Sequence, residues 1–291
     1  MSWKNPGTIR ALPYYGGKSV ANRSNAAIGE WIATLLPQTR DCCYIEPYAG
    51  MLGVLLARRP AKQEIVNDCN DRLICWWRTV RDAPAQLERL VRYTPQSRTE
   101  YRWATAHLDG CPAGCQCHLA RQYPNGLPDI YKALALHIIL RDGITKSDGK
   151  MNISRTFHPN TPALASPIDF DQLADRMRHV QVECGDAIAL LERVAAYDYI
   201  VAYVDPPYPD SDTTPYRYGA LDKEQLAAVL RQQRGRIALS GNAGEYDDLL
   251  PDWRVEHRQT LRMSATGGGV TATKVRTEAL YCNYPQENRL F

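Results

Sequence analysis

The sequence predicts an α/β protein: an open, mostly parallel sheet of the nucleotide-binding kind, interrupted by a mainly helical insertion. Three observations predict it. Short apolar runs end in acidic turns, at Ile45-Glu46, Val66-Asn67-Asp68, Cys184-Gly185-Asp186 and Val204-Asp205, and strand carboxyl ends are where such sheets bind ligands. Helix-like segments separate the runs, as βαβ units require. The alternation stops at Ala83 and resumes at about Val180. The chain therefore divides into 1–82, the first part of the sheet domain; 83–179, the insertion; and 180–291, the second part of the sheet domain.

A chain of 291 residues, 44% hydrophobic and 23% charged, is long enough to bury a full core. The net charge of +3 permits a polyanionic partner without demanding one. No stretch approaches the roughly 20 apolar residues that span a bilayer. The start, Met1 to Pro6, lacks the apolar core of a signal peptide, so a cytoplasmic location is expected. Nine cysteines in so large a chain are expected to be mostly reduced thiols.

In chain order, Pro13-Tyr14-Tyr15-Gly16-Gly17-Lys18-Ser19 sets paired glycines between aromatic rings and a lysine, ahead of an amphipathic segment over 20–36. Paired glycines allow close backbone approach, the rings suit a sulfonium or an adenine, and Lys18 suits a carboxylate or phosphate. A strand at Cys42–Ile45 leads into Glu46-Pro47-Tyr48-Ala49-Gly50-Met51-Leu52-Gly53 and a helix-like Val54–Arg59. With only Gly50 and Gly53 present and Glu46 before the turn, this is not the dinucleotide fingerprint and fits a ligand without a pyrophosphate. The second strand ends in Asn67-Asp68, and Asp68 follows Gly50 by 18 positions. That is near the interval of about 20 at which an acid meets ribose hydroxyls. An adenosine-bearing cofactor is the implied ligand. Trp76 and Trp77, on a helix over 72–82 capped by Asn70-Asp71, are expected to pack rather than to act.

Within the insertion, helices are expected at 85–93, 99–108 and 129–141. The polar, turn-rich segment that follows carries Arg141, Lys146, Lys150, Asn152 and Arg155, side chains suited to phosphates and base edges. Cys111, Cys115, Cys117 and His118 form a compact group of candidate zinc ligands, of which the loop would supply three, with His107, His118 or a distant cysteine completing the site. A reduced thiol cluster without metal fits the same residues, and the metal content of the purified protein decides between them.

The second part of the sheet domain opens with a strand at Val180–Asp186, where Asp186 suits an adenine amino group or a helix cap. Next comes the run Tyr199–Val204, ending in Asp205-Pro206-Pro207-Tyr208. This tetrapeptide suits the activation of an exocyclic nucleobase amine. Such an amine is a poor nucleophile because its lone pair is delocalised, so it needs acceptors on its N–H bonds. Asp205 offers one, and the Pro206 carbonyl another, since two prolines remove donors and leave carbonyls unpaired. Tyr208 offers a stacking face worth roughly 1–3 kcal/mol. A strand at Ile237–Asn242 and a closing hairpin at 255–263 and 275–284 complete the sheet.

With Tyr14 to Lys18, Glu46 to Gly50, Asn67-Asp68, Gly185-Asp186 and Asp205 to Tyr208 in this order, the chain resembles the Dam-like D12 class of adenine-N6 DNA methyltransferases. The resemblance covers Pro13 to about Asn283 and follows that family's α-group motif order. It implies a Rossmann-like S-adenosylmethionine-dependent methyltransferase sheet with an inserted, mainly helical target-recognition domain. It also implies S-adenosyl-L-methionine as methyl donor and double-stranded DNA as partner. By the same resemblance, Tyr14, Tyr15, Gly16, Gly17, Lys18, Glu46, Pro47, Tyr48, Ala49, Gly50, Asp68, Gly185 and Asp186 surround the cofactor. Asp205, Pro206, Pro207 and Tyr208 surround a flipped adenine, with Asp205 also bordering the cofactor and Lys18 within reach of DNA. Met51 and Leu52 depart from the small residues often found in the first loop, and the cysteine cluster is no part of the family core. The rival readings are methyl transfer to cytosine N4, to RNA adenine or to a glutamine amide, and DNA binding without methyl transfer.

Overall fold

The computed structural model describes residues 9, 11–12, 14, 17–18, 28–109, 129–142, 168–207, 222–265 and 271–285, with backbone alone for 260–265 and 271–276. Seven strands form one sheet: β1 (Cys43–Glu46), β2 (Gln63–Asp68), β3 (Val180–Cys184), β4 (Ile200–Val204), β5 (Arg236–Asn242), β6 (Arg254–Ala265) and β7 (Thr271–Cys282). Their spatial order is β3-β2-β1-β4-β5-β7-β6. The first five are parallel, while β7 runs antiparallel between β5 and β6. From β1 the chain builds outward to β3, then returns beside β1 with β4 and builds the other way. The direction of winding thus reverses between β1 and β4, which opens a crevice at their carboxyl ends.

Alternation along the strands assigns the two faces. Tyr44, Val66, Val182, Tyr203, Ala238 and Leu280 turn to one core, and Cys43, Ile45, Ala202, Val204, Ile237 and Leu239 to the other. The first face is covered by α1 (Ile28–Leu35) and α2 (Asp71–Asp82), and by α3 (Pro84–Tyr93), α4 (Arg98–Asp109), α5 (Ile130–Asp142) and α6 (Phe170–Met177) of the insertion. The second is covered by α7 (Ala187–Val194) and α8 (Lys223–Arg231). Carboxylate and amide caps start these helices: Asn70 accepts from the Arg72 and Leu73 N–H groups, Asp169 from Gln172, Asp186 from Ala189 and Asp222 from Gln225. Helix α2 stops before Pro84, whose ring disfavours helical backbone at Ala83 and whose fixed φ then starts α3.

Two expectations change. The helix-like 54–59 is a single 3₁₀ turn, Leu55–Ala57, without a capping side chain, and Arg58 is already extended ahead of Pro60. Its apolar residues are buried all the same. Helix α6, only two turns long, was not expected from periodicity. Of the amphipathic segment over 20–36, the described part is helical from Ile28, and residues 19–27 lie outside the described residues.

The insertion helices share a core with the sheet, for Leu87, Ala104, Leu136 and Leu173 join Trp76 and Trp77 of α2 in one cluster. Helix α5 is buried on every side from Lys132 to Leu140. Buried polar ties reinforce the junction. Lys132 of α5 pairs with Asp71 in the first turn of α2, and Arg176 of α6 grips Glu64 of β2 at 2.6 and 2.9 Å. Removing one partner of such a pair strands a buried charge at a cost of about 3–5 kcal/mol.

Within α5, His137 lies against the rings of Trp76 and Phe170 at 6.5 and 6.0 Å. Its Nδ1 has no hydrogen-bond partner among the described residues. Burial, and then Arg141, push its pKa down to about 3. The unfolded chain takes up this proton near pH 6.5, so the stability contributed by the neutral ring is complete above pH 6.5 and is lost as pH falls towards 3. His137→Phe is therefore expected to lose less stability than the wild type between pH 7 and pH 5, by about 2 kcal/mol. Urea unfolding at the two pH values reads the difference; equal losses would show that the ring is not buried neutral.

The described cysteines, Cys42, Cys43, Cys69, Cys75, Cys184 and Cys282, are all free thiols. No helix among the described residues is long and apolar enough to cross a membrane.

Candidate active site

The parallel strands deliver Glu46, Asp68, Gly185-Asp186 and Asp205 to one edge of the sheet, at the ends of β1, β2, β3 and β4. The turn after β1 is fixed from β2. Asn67 donates its side-chain amide to the carbonyls of Pro47 and Gly185, both at 3.0 Å, and its own carbonyl accepts from Ala49 at 2.8 Å. One amide thus ties the turns after β1 and β3 together. Gly50 has φ +47° and donates to Asp68 Oδ2 at 3.1 Å, while its carbonyl accepts from Trp77 Nε1 at 2.9 Å. A side chain at Gly50 would be strained by that backbone, although its Cβ would meet the Tyr14 ring only in ordinary contact, 3.8 Å from Cδ1. Leu52 shares the left-handed conformation at φ +52°, rare for a branched residue. It and Met51 are buried in the core, so these bulkier residues turn away from the ligand side of the loop.

Asp68 is held by N–H groups on both oxygens, from Gly50 and, at 2.9 Å, from Asn70. Burial raises its pKa against these two bonds. The Tyr14 hydroxyl lies 3.5 Å from Asn70 Nδ2, which brings its ring to the same rim. Tyr48 is half-buried, its hydroxyl pushed up by burial and then by Asp186. Asp186 is exposed and caps α7 through Oδ1 at 2.8 Å, the simpler of its two expected roles. Glu46 is buried and accepts from Tyr44 at 2.7 Å. Burial dominates and carries its pKa up to about 8, against the hydrogen bonds from Tyr44 and the Leu55 backbone. The rim therefore combines a backbone cradle that a Cβ would fill, carboxylates and aromatic faces. That donor set fits an adenosine attached to a cationic centre.

Asp205 and Lys18 form the polar centre beside this rim. Lys18 is 5% exposed and donates to both carboxylate oxygens of Asp205, at 2.8 and 3.0 Å. Glu278 of β7 lies 3.2 Å from the same ammonium. Tyr203, two residues before Asp205, hydrogen-bonds the carboxylate and lies 2.8 Å from Ser240 Oγ. Burial opposes the charge on Lys18, but Asp205 and Glu278 outweigh it and raise its pKa. Burial, together with Glu278, also raises Asp205 against the pull of Lys18 and Tyr203. Asp205 moves upward chiefly because it is buried, with Glu278 adding to the shift, whereas Lys18 moves upward because it faces two carboxylates. Lys18 is delivered by the close approach of α1: Gly29 donates to its carbonyl at 3.1 Å, where a Cβ would stand 2.6 Å from that oxygen and 2.7 Å from the Gly53 carbonyl.

Of the remaining candidates, Pro206 is buried, Pro207 is half-buried, and Gly17 donates to the Tyr14 carbonyl at 3.1 Å. The Arg141 guanidinium is engaged by the neighbouring Asp142 at 2.9 Å and by the Thr94 carbonyl at 3.4 Å, ties that fasten α5 to the end of α3. Tyr15, Gly16, Tyr208, Lys146, Lys150, Asn152, Arg155 and the Cys111, Cys115, Cys117 and His118 cluster lie outside the described residues. Among the described residues, no group of three or more His, Cys, Asp or Glu side chains is arranged to hold a metal. Glu278, Asn67 and Trp77 were not read from the sequence as site residues. The signal for Glu278 was an acid at an inward position of a strand, two residues before Leu280.

A family model, D12 class N6 adenine-specific DNA methyltransferase, matches residues 14–236. Comparison with curated proteins yields no match. Among solved structures, a precorrin 8w decarboxylase of Methanobacterium thermoautotrophicum is similar at 13% identity and TM-score 0.40, over 97% of this chain and 98% of that one. A candidate RNA methyltransferase of Pyrococcus horikoshii is similar at 9% identity and TM-score 0.37, over 93% and 91%.

Proposed function

Because the chain belongs to the D12 class N6 adenine-specific DNA methyltransferases, we propose that it methylates a flipped adenine in double-stranded DNA at the crevice between β1 and β4, with S-adenosyl-L-methionine as donor. The observation that carries this reading is the juxtaposition of the Asp205–Lys18 pair with the Gly50–Asp68 rim. One half of the crevice is chemically suited to an adenosine and the other to an amine. When bound, the cofactor supplies an electrophilic methyl group. Tyr14, Tyr48, Gly50, Asp68 and Asp186 would hold it, with Asp68 on its hydroxyl or amino groups.

Asp205 accepts an N–H of the adenine amine, and the Pro206 carbonyl accepts the other. Each bond localises the nitrogen lone pair and turns it towards the methyl group. Nitrogen forms one bond to the methyl carbon as that carbon's bond to the donor sulfur would break, the electron pair staying on sulfur, and gives up one proton, which Asp205, with its raised pKa, accepts and passes to solvent. Lys18 holds the carboxylate so that the acceptor is in place before the base arrives, which is positioning rather than covalent catalysis. Extruding the base costs about a few kcal/mol, offset in this reading by stacking on Tyr208. Lys146, Lys150, Asn152 and Arg155 of the insertion supply DNA contacts, and the enzyme works in the cytoplasm.

The two halves of the crevice are separable by mutation. Asp68→Ala removes charge-assisted hydrogen bonds and releases Gly50, and is expected to weaken S-adenosylmethionine binding about 10- to 100-fold. Titration calorimetry reads this directly. Unchanged affinity would remove Asp68 from the cofactor site.

A further inference from the structure

We infer that Glu278 is a positioning residue for methyl transfer: it gives the Lys18 ammonium a second buried anion, so that Asp205 is able to turn an oxygen to the target amine. The inference rests on the reading above, which makes Asp205 the acceptor. In the structure both oxygens of Asp205 are engaged by Lys18, at 2.8 and 3.0 Å. If Asp205 were the sole anion facing that ammonium, loosening either contact would leave a buried cation half satisfied, which is costly. Glu278, 3.2 Å from Nζ and 4% exposed, receives the ammonium as that contact is given up.

The placement follows from the sheet. Glu278 pairs with Asn242 at the carboxyl end of β5 and alternates with Leu280 on the face that carries Tyr203. It therefore enters the site from a strand that contributes neither the tetrapeptide nor the cofactor rim. Among the described residues, the charged and titratable groups gathered there are Lys18 from the segment before α1, Glu46 of β1, Tyr203 and Asp205 at the end of β4, the buried Tyr246 after β5, and Glu278 of β7. Only Lys18 is a cation in this set. Glu278 supplies the surplus negative charge, and its removal lowers the pKa of Asp205.

Glu278→Gln keeps the shape and an acceptor oxygen but removes the charge. Single-turnover methylation of duplex DNA is expected to slow by about 10- to 100-fold, with S-adenosylmethionine affinity by calorimetry unchanged. The acid limb of its pH–rate profile is expected to move down by about one unit. Glu278→Asp keeps the charge at shorter reach, so its limb stays at the wild-type position while its rate falls between the two. A Gln variant with the wild-type rate and an unmoved limb would overturn the inference, as would an Asp variant whose limb moves with that of Gln. If Gln does not fold, the Asp variant decides alone: a wild-type rate or a displaced limb refutes the role. Wild-type enzyme in the same assay separates the two levels, since absence of N6-methyladenine there defeats the proposed function rather than the part played by Glu278.

Discussion

Asp205→Ala is expected to bind S-adenosylmethionine within a few-fold of the wild type and to transfer methyl groups at least about 1,000-fold more slowly, the scale on which removing a preorganised electrostatic partner acts. The separation follows from the architecture. Asp68 and Gly50 hold the cofactor rim from β2 and the β1 turn, through hydrogen bonds in which Asp205 takes no part. Asp205→Asn sharpens the test because it keeps one acceptor oxygen and loses the charge that draws a proton from the amine. Its rate is expected to lie between those of the wild type and Ala. Tritium transfer from labelled cofactor into DNA measures the rate, and calorimetry measures binding. Near-normal transfer by Asp205→Ala would remove the carboxylate from the chemistry.

Lys18→Met carries the second-largest effect, and its signature lies in pH. Without the ammonium, Asp205 keeps the burial and the neighbouring Glu278 that raise its pKa and loses the cation that lowers it. Asp205 is then protonated over more of the neutral range and loses its acceptor character. The rate at pH 7 is expected to fall about 100-fold and to recover in part as pH rises towards 9, the direction that ionises a carboxyl whose pKa has been raised. Had Lys18 served a DNA phosphate, its loss would weaken DNA binding in a salt-dependent way and leave the pH profile in place. Its burial and its two bonds to Asp205 favour the first outcome.

The strand ends were legible because an apolar run ending in an acid is a one-dimensional signal: Val66-Asn67-Asp68 and Val204-Asp205 read as site positions before any fold is known. The mostly parallel direction of the strands follows from the same alternation, whereas their spatial order appears only in the structure. What escaped is what crosses between strands. Lys18 and Asp205 are 187 positions apart, and nothing local says that the lysine of a glycine turn meets the tetrapeptide rather than a ligand. Glu278 escaped because one acid in a strand is ordinarily solvated, and only the register with Asn242 and Leu280 turns it inward. Trp77 was read as packing. It is buried, yet its indole N–H also holds the Gly50 carbonyl, a bond across 27 positions that hydropathy does not carry. The Val54–Arg59 run has helical composition, and Pro60 limits it to one 3₁₀ turn.

Methylation of adenine N6 in this crevice through Asp205 is open to direct test. Duplex DNA incubated with the purified protein and methyl-labelled S-adenosylmethionine, then digested to nucleosides and resolved by mass spectrometry, tests it most directly. Labelled N6-methyladenine is expected with the wild-type protein and none above background with Asp205→Ala. Label in N4-methylcytosine alone, or no label in DNA from a wild-type protein that binds the cofactor, would contradict it.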